Sequence, residues 1–111
     1  MERELIPYQD YFWEFYYSQS TKVQEKIDYV LQIIRTMERV PEKFLRHLGD
    51  GIYEIRIKQG SNIFRIFCFF DMGNLVILLH GFQKKSQKTP KKELERAKTL
   101  RAKYYEDKNI S

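Results

Sequence analysis

Apolar side chains recur at three- and four-residue steps along the first third of the chain and at two-residue steps through the middle, a pattern that predicts helices followed by strands. After a short extended start at Arg3 to Pro7, Tyr8, Phe12, Phe15 and Tyr16 share one helical face. Ser20 or Thr21 can cap the next helix, where Val23, Ile27, Val30, Leu31, Ile34 and Met37 line up before Pro41 stops it. Such stripes are packing surfaces, so the two helices form a hairpin over a core. From Ile52 the period becomes two, with strands at Ile52 to Lys58, Ile63 to Phe70 and Leu75 to Phe82. Gly60-Ser61 and Met72-Gly73 fall where two-residue hairpin loops belong, and an antiparallel meander is the simplest topology. Thr89 can cap a last helix with Pro90 at its first position and Leu94, Ala97, Leu100 and Tyr104 as a narrow apolar stripe. The expected architecture is α+β: a twisted antiparallel sheet covered by two N-terminal helices, with a basic C-terminal helix.

Two-residue loops would also set the register, placing Arg56 opposite Arg65 and Arg65 opposite His80. Alternation adds Glu54 and Lys58 to that face and turns Tyr53, Ile55, Ile57, Phe64, Ile66, Cys68, Leu75, Ile77 and Leu79 toward the helices. Opposed arginines repel, so the row needs a counter-charge from Glu54 or from a bound anion. An arginine fork matches phosphate oxygens, and a histidine exchanges protons near neutrality. These residue types suit attack of an RNA 2′-hydroxyl on the adjacent phosphate, which requires proton transfer and cations but no metal. Arg65 is expected to be removable without opening a large cavity. The plainer alternatives are an Arg56 paired to an acid and a His80 that is a hydrogen-bonded rim residue.

Charge sharpens the picture. The net charge is +5, yet residues 84 to 103 hold nine Lys/Arg against two Glu, leaving the rest at −2. That asymmetry marks a surface for a polyanion, although a solvated helix face would look the same. With 111 residues, 42% hydrophobic and 15% aromatic, the chain is expected to form a single domain over 1–111. The lone Cys68 lies in an apolar run and offers no disulfide framework, and the longest apolar runs are strand-sized. A cytoplasmic protein without a membrane segment is expected.

The stretch Gly51-Ile-Tyr-Glu-Ile-Arg-Ile, then Phe64-Arg-Ile-Phe-Cys-Phe-Phe, then Leu78-Leu-His-Gly-Phe-Gln-Lys-Lys-Ser-Gln-Lys-Thr-Pro, resembles the phage-derived HigB-like branch of the RelE/ParE toxin superfamily. The resemblance spans nearly the whole chain and is most specific in the Gly-Phe-x-Lys-Lys-x-x-Lys-Thr-Pro segment. It implies a small RelE-like fold and a type II toxin that is a metal-independent, ribosome-dependent mRNA endoribonuclease needing no cofactor. Its implied partners are the ribosome, mRNA and a cognate antitoxin, often of helix-turn-helix type. Carried over by position, the resemblance assigns Arg56, Arg65, Lys84 and Lys85. With His80 as the candidate acid or base, the expected catalytic set is Arg65, His80, Arg56 and Lys84. Lys58, Lys85, Lys88, Lys91 and Lys92 are the expected RNA-phosphate contacts. Some relatives place a tyrosine after the last strand, where this chain reads Ser86-Gln-Lys-Thr-Pro. A ParE-like gyrase inhibitor without nuclease chemistry and an inactive nucleic-acid-binding relic stand as the alternatives.

Overall fold

A computed structural model describes residues 2–85 and 88–110, so Ser86 and Gln87 of the lysine-rich motif lie outside the described residues. The elements in order are β1 (Glu4–Pro7), α1 (Tyr11–Tyr17), α2 (Thr21–Thr36), β2 (Leu45–Gly49), β3 (Ile52–Gln59), β4 (Asn62–Phe70), β5 (Leu75–Lys84) and α3 (Lys91–Ile110). They build a five-stranded sheet in the order β1-β5-β4-β3-β2. Its centre is the expected antiparallel meander, but β1 pairs with β5 in parallel and β2 adds an edge strand beyond β3. The Ser20 hydroxyl accepts from the Val23 N–H and caps α2, which ends at Thr36, ahead of Pro41.

One face of the sheet is sealed as the periodicity requires. Phe12 and Phe15 of α1 and Val23, Ile27, Val30 and Ile34 of α2 pack on Ile55, Ile57, Phe64, Ile66, Cys68, Val76 and Leu78. Cys68 is wholly buried in this layer, and burial pushes its thiol pKa up.

The other face carries a second core. Tyr8, Ile52, Phe67, Phe69, Ile77 and Leu79 are covered by Ala97 and Leu100 of α3. Each large apolar side chain fully buried there contributes roughly 1.5–3 kcal/mol. Polar clamps fasten the helix as well: Tyr104 Oη and Lys108 Nζ donate to Asp71 Oδ2 at 2.6 and 2.8 Å, Tyr8 donates to Asp107, and Arg101 donates to the Asp50 carbonyl.

The first hairpin keeps the expected register, with Gln59 opposite Asn62 and Arg56 opposite Arg65. The second does not. Asp71 N–H donates to Leu75 O at 2.8 Å and Phe70 stands opposite Val76, so the loop has three residues, 72–74. One added residue exchanges the faces of a strand. Val76 and Leu78 therefore join the α1/α2 core, while Ile77 and Leu79, expected there, turn to α3.

A second irregularity follows. Ile66 pairs with Gly81 and Cys68 with Leu78, leaving Leu79 and His80 opposite Phe67 alone, a β-bulge. Beyond it Gly81 faces α1 so closely that a Cβ would lie 2.6 Å from the Phe15 ring. Arg65 consequently faces Phe82 across the strands, not His80 as the two-residue loop predicts.

Candidate functional site

Where α3 stops covering the sheet, the second face changes from apolar to charged. Glu54 and Arg65 are both buried, at 1% and 5% exposure, and Arg65 Nε lies 3.1 Å from Glu54 Oε1. This is an ion pair without hydrogen-bond alignment, because the Arg65 Nε–H has no hydrogen-bond partner among the described residues. Arg65 Nη1 donates to the Phe64 carbonyl at 3.0 Å, and the Thr89 hydroxyl donates to Glu54 Oε1 at 3.2 Å. Thr89 thus ties the approach to α3 onto the sheet. The first-turn amides of Glu93 and Leu94 donate to the Pro90 carbonyl.

Four cations lie near Glu54. Arg46 stands opposite it across β2 and β3 and has its own ion pair with Glu42, Nε to Oε1 3.8 Å, while Arg56 stands opposite Arg65 and Lys84 follows Phe82 on β5. Burial and the neighbouring Arg56 draw the Arg65 pKa down, while Glu54 draws it back. Burial and the Arg65 charge likewise lower that of Lys84. Arg56, Arg65, Lys84 and Lys85 line a groove of about 500 Å³. Such an excess of fixed positive charge, with guanidinium forks at a groove, is suited to a phosphate diester.

His80 lies elsewhere. It is 2% exposed, its ring is 5.2 Å from that of Phe67, and its Nε2 is 3.3 Å from Glu93 Oε1 on α3. Neither ring nitrogen has a hydrogen-bond partner among the described residues. Burial, and next the Arg96 charge, lower the His80 pKa to about 4 despite Glu93. The imidazole is therefore neutral near pH 7. The bulge at Leu79 and His80 is what turns it under the helix.

Of the expected phosphate contacts, Lys58 and Lys85 line grooves at Arg56 and Arg65, whereas Lys88, Lys91 and Lys92 are exposed and line neither groove. Part of the basic charge of α3 is used within the molecule: Lys98 Nζ is 3.2 Å from Asp50, and Arg96 sits over the Tyr11 ring. Arg46 escapes a sequence reading because β2, Leu45–Gly49, is an edge strand too short to show a clear period. Glu54 is legible through its alternation with Arg56, but its burial against Arg65 and Thr89 is not.

Among the described residues no group of three or more His, Cys, Asp or Glu gathers as a metal site. No helix there is long and apolar enough to cross a membrane. No curated protein matches the chain. The model of the family described as phage derived protein Gp49-like (DUF891) matches residues 14–102, which takes in the second half of α1, all of α2, the meander, the Glu54–Arg65 pair and the first part of α3. That family sits in the RelE/HigB-like toxin clan, related to toxins that are endoribonucleases and pointing to an antitoxin partner. With four-fifths of its length matched on this fold, the chain belongs to the Gp49-like family of toxin-like phage-derived proteins.

Proposed function

We propose that the chain is the toxin of a type II toxin–antitoxin pair and acts as a ribosome-dependent mRNA endoribonuclease, held in check by a helix-turn-helix antitoxin. The observation that carries this reading is the gathering of Arg46, Arg56, Arg65 and Lys84 around the single buried Glu54 at the open end of the sheet. Glu54 orients Arg65, and the surplus positive charge is left for a phosphate. In the reaction the 2′-oxygen bonds to phosphorus as the P–O5′ bond breaks, the hydroxyl proton passes to an acceptor, and O5′ takes a proton from a donor. Arg56 and Arg65 face the charge that develops on the non-bridging oxygens, the kind of stabilisation worth roughly 10²–10³ in rate per donor. Lys84, its ammonium pKa lowered by burial and by Arg65, is the proton-exchanging group of this scheme. His80 serves as a positioning residue beneath the first turns of α3. Lys58 and Lys85 hold flanking phosphates, with Lys88, Lys91 and Lys92 as outer contacts to ribosomal RNA.

Mapping of transcript ends after induced expression tests the proposal. Wild type should produce new 5′ ends within coding regions, and Arg56→Ala or Lys84→Ala, both on partly exposed side chains, should abolish them with folded protein still present. Growth arrest with uncut transcripts would overturn it, and accumulated gyrase-linked DNA breaks would identify the gyrase-inhibiting alternative.

A further inference from the structure

Next to the groove holding Lys84, a second groove of about 560 Å³ shares Arg56 and Arg65 and runs toward α2. Its volume lies within the roughly 300–1,000 Å³ of small-molecule sites. The charged residues lining it are five cations and no carboxylate. Farther along α2 it meets a shallower groove that carries Lys22 and Lys26, with Glu25 the acid among its lining residues.

The side chain that stands out is Tyr29. It lies off the buried stripe of α2 and is 55% exposed, the ring turned to both grooves. Its orientation is held from two sides: Lys26 Nζ sits 5.1 Å from the ring centroid, and the Phe44 ring stands 6.3 Å away at 77°. Phe44 is itself fixed beside the anion site, because its carbonyl accepts from the Arg56 N–H at 2.8 Å. Lys43 Nζ lies over the Phe44 ring at 5.0 Å. A flat, oriented, half-open aromatic surface flanked by ammonium groups, next to paired arginines, has the two components that single-stranded nucleic acid requires: a face for a base and charge for the backbone. An acidic protein segment would use the charges and leave the ring idle.

We infer that this groove is a nucleotide subsite in which Tyr29 stacks the base of a nucleotide flanking the phosphate held at Arg56 and Arg65, while Lys26 and Lys43 neutralise the adjoining backbone. The inference rests on the RNA reading above and adds the path of the strand and a residue that grips it. Stacking accepts every base, so Tyr29 contributes affinity for single strands more than choice of sequence.

The test is titration of the purified protein with a short, fluorescently labelled, single-stranded RNA whose riboses are 2′-O-methylated and so cannot be cleaved. Tyr29→Ala should weaken binding roughly 5- to 100-fold, with the salt dependence unchanged. Tyr29→Phe should bind as wild type does. Lys26→Ala and Lys43→Ala should each lower the slope of log K against log salt by about 0.7. If Tyr29→Ala binds like wild type while Arg56→Ala and Lys84→Ala lose affinity, the subsite is wrong and the RNA reading stands. If none of these variants differs from wild type, or wild type does not bind, the subsite fails, and the mapping of transcript ends decides the RNA reading by itself. Wild-type RNA affinity in Tyr29→Ala, combined with displacement of the RNA by oligoglutamate, would assign the groove to an acidic protein segment and overturn the inference.

Discussion

Two buried carboxylates on the same side of the sheet do opposite work. Asp71, 4% exposed at the end of β4, receives the Tyr104 hydroxyl and the Lys108 ammonium, and these partners hold its pKa below the usual range. The pairing pushes the Tyr104 pKa up to about 12, with burial the larger cause. Its charge is answered locally, and the result is a clasp on α3. Glu54, 1% exposed, is outnumbered by Arg46, Arg56, Arg65 and Lys84. A neutralised cluster holds structure together, whereas one with surplus charge beside a groove is poised for a ligand.

The largest effect that would sharpen this contrast is on Arg65. The pair with Glu54 is buried, so removing Arg65, though it opens no large cavity, takes the ion-pair partner from a buried carboxylate. Arg65→Ala should lower stability by about 3–5 kcal/mol, because a buried carboxylate loses its closest partner. The double variant Glu54→Leu/Arg65→Ala should recover most of that in urea melts and still cut no transcripts. Recovery of cleavage along with stability would erase the distinction between the two clusters. Asp71→Asn should cost less, about 1.5–3 kcal/mol, and leave cleavage per folded molecule unchanged. Lost cleavage in a folded Asp71→Asn protein would make α3 part of the catalytic device. The smallest effect is a pH slope from His80. Its native pKa of about 4 lies below the ordinary 6.5, so between those values the unfolded chain binds a proton that the native one refuses. Stability should fall as pH drops through that window, by at most ~1.4 kcal/mol per unit from this residue. His80→Gln should remove that component in denaturant melts at successive pH values, and Asp71 contributes only below its ordinary 3.8.

The helices and the first hairpin are legible in the sequence because their signals are local: a three-to-four period, a serine cap, and Gly60-Ser61 between strands that pair Gln59 with Asn62. The Arg56–Arg65 juxtaposition follows from that hairpin alone. His80 depends on a loop length and a bulge, and neither leaves a local mark: Met72 and Gly73 both adopt positive φ, yet the loop also takes in Asn74. The antiparallel ladder then shifts by one residue at the loop and again opposite Phe67. The face that α3 covers is hidden for a different reason. Phe67, Phe69, Ile77 and Leu79 alternate with residues equally apolar, so β4 and β5 are two-sided strands, and periodicity does not tell one buried face from the other.

The parallel pairing of β1 with β5 sets an order of events in synthesis. Glu4 pairs with Leu75, and Pro7 with Leu78, so β1 leaves the ribosome well before β5, its strand partner. At about 5–20 residues per second that interval is some 4–14 s, during which the apolar Leu5 and Ile6 have no sheet to join. In the meantime β2, β3 and β4 can zip up by near-neighbour contacts, and closure of the β1 edge on β5 is the long-range step that completes the sheet.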